Sequence, residues 1–341
     1  MLTKGRPQYE RAIRGLHWGD AAIYVVSAAQ SLPAALLAAY AFEGLLACPV
    51  AVREVSSFLA YSLGALRTGS VVVLISNEGP STLNAARAAT GRGAQVLALA
   101  QASSPVAAAS CQVFSLPEAG GAPSSGIAEA CLEHMAMGYL ALLAARLVRR
   151  PQPSLERLEK EWNEIPDHLD TLTSHLVDVV RASADTLRPA QALFFVGDGC
   201  HHASAERAAS LAQRRGSCAT PGSDLARFRC DFLPDLGQSA GVVFFSGSQS
   251  SRRKAVAELA REAKDRGANV LAVTGSNDHD LIREASLTLL LPDLMELPAS
   301  ILSLALGGWL GRELATPPRQ SRLRRSGAAD SLAQDDFDRA E

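Results

Sequence analysis

One pattern occurs twice in this sequence: an apolar, β-branched run of strand length that ends in a small polar turn and continues as a helix. The first copy starts at Val71 and reaches the turn Ser76-Asn77-Glu78-Gly79-Pro80-Ser81; the second starts at Gly241 and reaches Ser246-Gly247-Ser248-Gln249-Ser250-Ser251. Such a run is typical of a buried parallel strand, and the junction places backbone N–H groups and hydroxyls at a positive helix N-terminus. Each copy therefore has the outline of a phosphate-binding loop.

The repeat extends beyond these two turns. At one constant offset, Ser31 aligns with His201, Ser76 with Ser246, and Ser81 with Ser251. Residues 92–99 match residues 266–273 after the offset has grown by four residues, about one helical turn. A register held across three strands indicates duplication of a whole domain rather than a short solenoid repeat.

The alternation of strands and helices predicts an α/β protein of two domains, and 341 residues suffice for two full cores. In each domain we expect a mostly parallel five-stranded sheet flanked by helices, as in a flavodoxin-like three-layer sandwich. The predicted divisions are a lead-in at 1–20, a first domain at 21–150, a helical connector at 151–187, a second domain at 188–316 and a tail at 317–341.

Composition limits the binding partners and the cellular compartment that we expect for this protein. A formal charge of −2 provides no basic field for nucleic acid. The sequence shows neither a signal-peptide pattern nor an apolar run long enough to span a bilayer, so we expect no membrane partner. Six cysteines without a C-x-x-C pair indicate reduced thiols, and we expect a cytoplasmic protein.

Four short motifs follow one another in a recognisable order. They are Ser27-Ala28-Ala29-Gln30-Ser31, the turn after Val71, the turn Gly197-Asp198-Gly199, and the pair Pro318-Arg319. Their order and spacing resemble the tandem sugar isomerase (SIS) domain family, similar to the isomerase part of glucosamine-6-phosphate synthase without its glutaminase domain. In that family the motifs are a G-x-G-x-S turn, an S-x-S-G-x-T phosphate loop, a second G-x-G turn and a Pro-Arg pair before the tail.

The resemblance implies binding of a sugar phosphate or amino-sugar phosphate at the Ser-rich turns, in a homodimer that needs no cofactor or metal. The implied ligand-binding residues are Ser31, Ser76, Asn77 and Ser81 in the first half and Ser246, Ser248 and Ser251 in the second. The first-half pocket is the favoured one, because all three of its aligned serines are retained.

The catalytic residues that the family would supply are not retained. Where the family has a glutamate base on the first helix of the second half, this chain has Gln213 or Arg214, and neither is a carboxylate. The family's H-G-P histidine falls within residues 228–232, which contain no histidine. Glu78 stands where the family loop has a hydroxyl, and a carboxylate aimed into an anion site would repel phosphate.

Other residues could nevertheless perform chemistry. His201 and His202 open the first helix of the second half, and Glu206 follows one turn later, so His201, Glu206 and Glu78 are the candidate catalytic residues. A metal site at this helix start is disfavoured, because adjacent residues rarely converge on one ion.

Three interpretations stay open. One is a phosphosugar-binding protein with a degenerate aldose-ketose isomerase centre. The alternative is an active isomerase, deaminase or deglycase that uses non-standard residues, and the third is a structural dimer that binds nothing.

Overall fold

The computed structural model describes residues 2–18, 22–75, 79–115, 126–148, 153–214, 216 and 218–316. Within these ranges the chain forms two parallel sheets flanked by helices, one in each half of the sequence. The two-domain parallel α/β fold expected from the sequence is confirmed.

The first sheet has five strands in the order β2-β1-β3-β4-β5. They are β1 (Ile23–Ser27), β2 (Val50–Glu54), β3 (Val71–Ile75), β4 (Gln95–Ala100) and β5 (Gln112–Ser115). Every residue of β3 is buried, as expected for an apolar strand covered by helices on both faces. The helices of this half are α1 (Leu2–Arg14), α2 (Leu32–Leu46), α3 (Val55–Ser57), α4 (Pro80–Gly91), α5 (Pro105–Ala108) and α6 (Ile127–Val148).

The second sheet has four strands in the order β6-β7-β8-β9, one fewer than the sequence led us to expect. They are β6 (Ala192–Gly197), β7 (Ala240–Phe245), β8 (Asn269–Gly275) and β9 (Leu287–Leu291). In place of a fifth strand, Ala219 and Ser223 make isolated parallel bridges to β6. Pro221 lies between them and has no N–H to donate, which explains why no continuous strand forms there.

Seven helices complete the described part of the second half and the segment before it. They are α7 (Pro153–His175), α8 (Val177–Leu187), α9 (Cys200–Gln213), α10 (Leu225–Arg227), α11 (Arg253–Asp265), α12 (His279–Glu284) and α13 (Glu296–Leu314). The helices α7 and α8 occupy most of the predicted connector.

The duplication is visible even in irregular segments. Each half has a short π-helical segment, Phe58–Ser62 in the first and Phe228–Phe232 in the second, each after a very short helix. A carboxylate caps that helix in both halves, because Glu54 accepts the N–H of Ser56 at 2.8 Å and Asp224 accepts the N–H of Arg227 at 2.7 Å. The repeat inferred from the sequence therefore covers a complete structural unit.

The largest hydrophobic core of the described residues is shared by the two halves. Its buried residues come from both halves, and α2 and α6 of the first half pack against α9 and α13 of the second. Among the described helices, α6 is long and apolar enough to cross a membrane, yet 67% of its most apolar stretch is buried inside the fold. Its position in the shared core accounts for its composition.

Candidate functional site

The strand order places two equivalent crevices at the carboxyl ends of the strands. In open parallel sheets, ligands bind where the strand order reverses, which in the first sheet is between β1 and β3. In the second sheet the equivalent position is between β6 and β7, because the later segment that bridges to β6 at Ala219 and Ser223 lies on the side of β6 away from β7. The first crevice is flanked by the turn 28–31 and the start of α4, and the second by the turn 198–201 and the loop 246–252. Of the sequence-predicted residues and motifs, Ser76, Asn77, Glu78 and the Pro318-Arg319 pair lie outside the described residues.

Ser31 in the first crevice is fully buried, and its hydroxyl is already bonded. Its Oγ donates to Oε1 of Glu133 at 3.0 Å. Glu133 is on α6, more than 100 residues further along the chain. The sequence-predicted serine therefore lies beside a carboxylate that the sequence analysis did not identify.

Arg207 reaches the same place from α9 in the other half. Its Nη2 lies 3.5 Å from Oε2 of Glu133, and its Nη1 donates to the carbonyl of Gln30. The side chains of Arg207 and Glu133 are 6% and 15% exposed, so this contact is a largely buried ion pair that joins the two halves.

Burial and charge act in opposite directions on this pair. Burial raises the pKa of Glu133, while the neighbouring guanidinium of Arg207 and the hydrogen bond from Ser31 oppose that rise. Burial also lowers the pKa of Arg207, and the carboxylate of Glu133 opposes that fall. Each partner therefore stabilises the charged form of the other, and this attraction opposes the cost of removing the two charges from water.

In the second crevice, carboxylates of the chain itself occupy positions that an anion would take. The buried Ser248 donates its hydroxyl to Asp293, and the amide of Asn277 donates to the same carboxylate at 2.8 Å. The bond from Ser248 is the main cause that lowers the pKa of Asp293, so this carboxylate is held ionised.

A second carboxylate covers the start of α9. Oε1 of Glu296 accepts the N–H of Cys200 at 3.2 Å, at the positive end of the helix. Gly199 has a φ of +53°, and a Cβ there would lie 2.4 Å from the same oxygen. The G-x-G turn therefore accommodates the side chain of Glu296.

Three buried polar atoms of the second crevice have no hydrogen-bond partner among the described residues: Oγ of Ser246, Oγ of Ser250 and Nε2 of His201. Two of them surround Gly247, because a Cβ there would lie 2.9 Å from His201 Nε2 and 3.4 Å from Ser250 Oγ. The other ring nitrogen of His201 lies 3.1 Å from Ser303 Oγ, and burial lowers the pKa of His201 to about 3. A neutral imidazole of this kind suits hydrogen bonding better than proton transfer at neutral pH.

Replacing Gly247 by alanine should therefore lower the free energy of unfolding by about 1–3 kcal/mol, since the new methyl would collide with a packed imidazole. Urea unfolding measures the change. Gly237→Ala is the matched control, because a Cβ at Gly237 would meet nothing within 4 Å. Equal losses in the two variants would contradict the close packing at Gly247.

Glu206 pairs with His202, not with His201. Its Oε1 lies 3.6 Å from His202 Nε2, and the hydroxyl of Tyr40 on α2 lies 3.2 Å from His202 Nδ1. Burial, helped by the nearby Asp198, raises the pKa of Tyr40 to about 12, so its hydroxyl stays protonated beside Nδ1. The spacing i, i+4 on one helix could have identified the pair of His202 and Glu206 from the sequence.

The two remaining serines occupy matching places. Ser81 follows Gly79 and Pro80 at the start of α4, and Ser251 lies just before α11; both are exposed. No group of three or more histidine, cysteine, aspartate or glutamate side chains suited to a metal ion occurs in the part of the chain that the structure describes.

Comparison with known proteins gives the family. A SIS domain model matches twice, at residues 19–144 and 186–306. The chain belongs to the SIS domain family. The two matches coincide with the two sheets and their helices, so this SIS protein contains both copies of the repeat found in its sequence.

Several solved structures have a fold similar to that of this SIS protein, at low sequence identity. The C-terminal domain of glucosamine-fructose-6-phosphate aminotransferase from Francisella tularensis is 15% identical, with a TM-score of 0.79 over 90% of this chain and 85% of that one. Tagatose-6-phosphate ketose/aldose isomerase from Escherichia coli is 15% identical, with a TM-score of 0.72 over 92% and 87%. Glucosamine-6-phosphate deaminase from Thermotoga maritima is 14% identical, with a TM-score of 0.67 over 92% and 92%. A search of curated protein sequences found no significant match.

Proposed function

We propose that this SIS protein binds a sugar phosphate or amino-sugar phosphate in the first crevice, with an isomerase centre that has lost its standard residues. The observation that carries the proposal is the convergence of Ser31, Glu133 and Arg207, from both halves, at the point where the strand order reverses. Ser76, Asn77 and Ser81 complete the proposed anion site from the turn after β3.

The electrostatics favour the first crevice over the second. A phosphate in the second crevice would meet Asp293 and Glu296, which already take the bonds of Ser248 and of the α9 N-terminus. In the first crevice one carboxylate, Glu133, takes the bond of Ser31, but two cations, Arg207 and Arg214, act on it and lie near the proposed ligand. The alternative position, at Ser246, Ser248 and Ser251, is favoured by the unpartnered hydroxyls of Ser246 and Ser250.

Two versions of this function differ in turnover. The lost base favours a binding protein, because Gln213 occupies the expected position and donates to the carbonyl of Ala219 at 3.0 Å. The alternative is an active isomerase, deaminase or deglycase using His201, Glu206 or Glu78. Turnover assays on a sugar phosphate that binds distinguish the two.

Titration calorimetry with glucosamine 6-phosphate, fructose 6-phosphate and inorganic phosphate tests the proposal on a matched pair of variants. Ser81→Ala should weaken sugar-phosphate binding about tenfold or more, because a hydrogen bond to a charged group contributes about 1.5–3 kcal/mol. Ser251→Ala, at the equivalent exposed position of the second half, should leave the affinity unchanged.

The reverse result would move the site to the second crevice, and Ser246→Ala should then weaken binding as well. Absence of binding to every sugar phosphate in the panel would contradict the proposed function as a whole.

The family resemblance also supports a homodimer in the cytoplasm, with no nucleic-acid, membrane or cofactor partner. Tyr61, which is 85% exposed on the segment after β2, is an apolar residue that a second subunit could cover. Sedimentation velocity tests this part of the proposal, and a monomer of 35.9 kDa would contradict it.

A further inference from the structure

We propose that the protein has a second ligand site, at the amino ends of β1 and β3, and that this site binds a nucleoside monophosphate. It lies at the opposite end of the first sheet from the first crevice and shares no residue with the proposed sugar-phosphate site. The inference does not depend on the proposed function.

A cavity of about 680 Å³ lies at this end of the first sheet. Small-molecule sites in proteins usually have volumes of about 300–1,000 Å³. The lining residues come from two segments: His17, Ala22 and Tyr24 before and at the start of β1, and Ala65 and residues 67–70 before β3. The N–H of Val71 donates to the carbonyl of Ala22 at 3.1 Å and holds the two segments together.

The charge of the cavity wall favours an anion. None of the described lining residues is acidic, and the guanidinium of Arg67 makes no hydrogen bond or ion pair with any described residue. Thr68 and Tyr24 add hydroxyl groups to the same wall. An unpaired arginine beside hydroxyl donors is well suited to a phosphate group, because its planar guanidinium binds two phosphate oxygens at once.

The backbone that carries Arg67 is fixed by a β-turn. The carbonyl of Arg67 accepts the N–H of Ser70 at 2.9 Å, and the N–H of Arg67 donates to Oγ of the buried Ser70 at 3.0 Å. Gly69, the third residue of the turn, has a φ of +88°, and its N–H donates to the carbonyl of Gly93 at 3.1 Å. The turn therefore holds the arginine at the cavity.

The segment that carries His17 is fixed by Gln95 at the start of β4. Oε1 of Gln95 accepts the N–H of His17 at 2.8 Å, and its Nε2 donates to the carbonyl of Gly15 at 3.1 Å. The next residue, Trp18, is buried and stacks on Phe42 with 5.4 Å between ring centroids. The imidazole of His17 is thus carried on an anchored backbone.

Two aromatic rings indicate the rest of the ligand. The imidazole of His17 and the phenol of Tyr24 line the cavity, together with the methyl groups of Ala22 and Ala65. The ring of Tyr24 packs edge-on against Phe58, and its hydroxyl has no hydrogen-bond partner among the described residues. Aromatic side chains bind the flat bases of nucleotides by stacking. A phosphate at Arg67 and a base at the two rings would use both parts of this wall.

The new site and the first crevice can be occupied at the same time. Strands β1 and β3 have five residues each, which separates their two ends by about 17 Å at about 3.3 Å per residue. A variant in the crevice should therefore leave the new site unchanged.

Titration calorimetry of the full chain with adenosine 5′-monophosphate (AMP) tests the proposal, with inorganic phosphate and adenosine as the two halves of the probe. AMP should bind more tightly than either half, because only AMP reaches both the guanidinium and the rings. Arg67→Met should weaken AMP binding about tenfold or more. Arg87→Met is the matched control, since Arg87 is an exposed arginine on α4 that does not line the cavity, and it should leave the affinity unchanged.

Two further variants locate the site. Ala65→Trp narrows the cavity without removing a polar group and should also weaken AMP binding about tenfold or more. Ser81→Ala, in the first crevice, should leave AMP binding unchanged. AMP binding that Ser81→Ala abolishes and Arg67→Met leaves intact would place AMP in the crevice and overturn the proposal.

The remaining outcomes separate this inference from the proposed function. A protein that binds a sugar phosphate but not AMP would overturn the second site and leave the proposed function standing. AMP binding that requires Arg67, without binding of any sugar phosphate, would do the reverse. Inorganic phosphate that binds as tightly as AMP would overturn the assignment of a nucleoside monophosphate.

Discussion

Replacing Arg207 by methionine should lower the free energy of unfolding by about 3 kcal/mol or more, measured by urea unfolding at pH 7. The substitution leaves the carboxylate of Glu133 buried without its cation, and removing one member of a buried ion pair typically costs about 3–5 kcal/mol. The carbonyl of Gln30 loses its donor in the same step. Because the pair joins α6 to α9, the loss should affect the docking of the two halves.

A double variant distinguishes a lost pair from lost packing. Adding Glu133→Leu to Arg207→Met removes the uncompensated charge and should recover most of the loss, as replacement of a buried pair by apolar residues does in other proteins. Arg229→Met provides the surface comparison, because Arg229 and Glu262 are 50% and 40% exposed in their pair, and we expect a loss of less than about 1 kcal/mol. A similarly small loss in Arg207→Met would show that water reaches the pair between the halves.

The sequence determines the strands and helices of this protein well, because each has a continuous apolar run or an Ala-rich helical pattern. Strand β3 (Val71–Ile75) begins where the first apolar run of the sequence begins, and β7 (Ala240–Phe245) covers the second. The sequence also contained a reason to expect only four strands in the second sheet. Pro221 lies between Ala219 and Ser223, the two residues that bridge to β6, and prevents a continuous strand there.

The site was predictable only in part. Motif position predicted Ser31 in the turn after the first strand, because such a motif is a local property of the sequence. The partners of Ser31 depend on how two halves dock: Glu133 is 102 residues away, and Arg207 belongs to the other repeat. No periodicity within one helix encodes such a contact. The sequence nevertheless contained a signal: charged residues are rarely buried without a partner, and α6 carries a carboxylate in an apolar helix while α9 carries an arginine in an Ala-rich one.

Lowering the pH from 7 to 5 should destabilise the protein by about 4 kcal/mol through two buried histidines. Burial lowers the pKa of both His134 and His201 to about 3, against about 6.5 for a histidine in the unfolded chain. The unfolded state therefore binds protons first, and stability is lost as the pH falls below about 6.5. At pH 5 each histidine contributes about 2 kcal/mol of this loss, at 1.36 kcal/mol per pH unit.

Urea unfolding at pH 7, 6 and 5 measures the loss, and single variants apportion it. His201→Gln cannot take up the proton and should reduce the loss to about 2 kcal/mol, whereas the exposed His279→Gln should leave it unchanged. The raised pKa values of Glu133 and Glu296 act in the opposite sense, because these carboxyls bind protons more readily when folded, so the loss should flatten towards the acid end of the range. A loss below about 1 kcal/mol would mean that the folded protein protonates these imidazoles, which requires water to reach the shared core at α6 and α9.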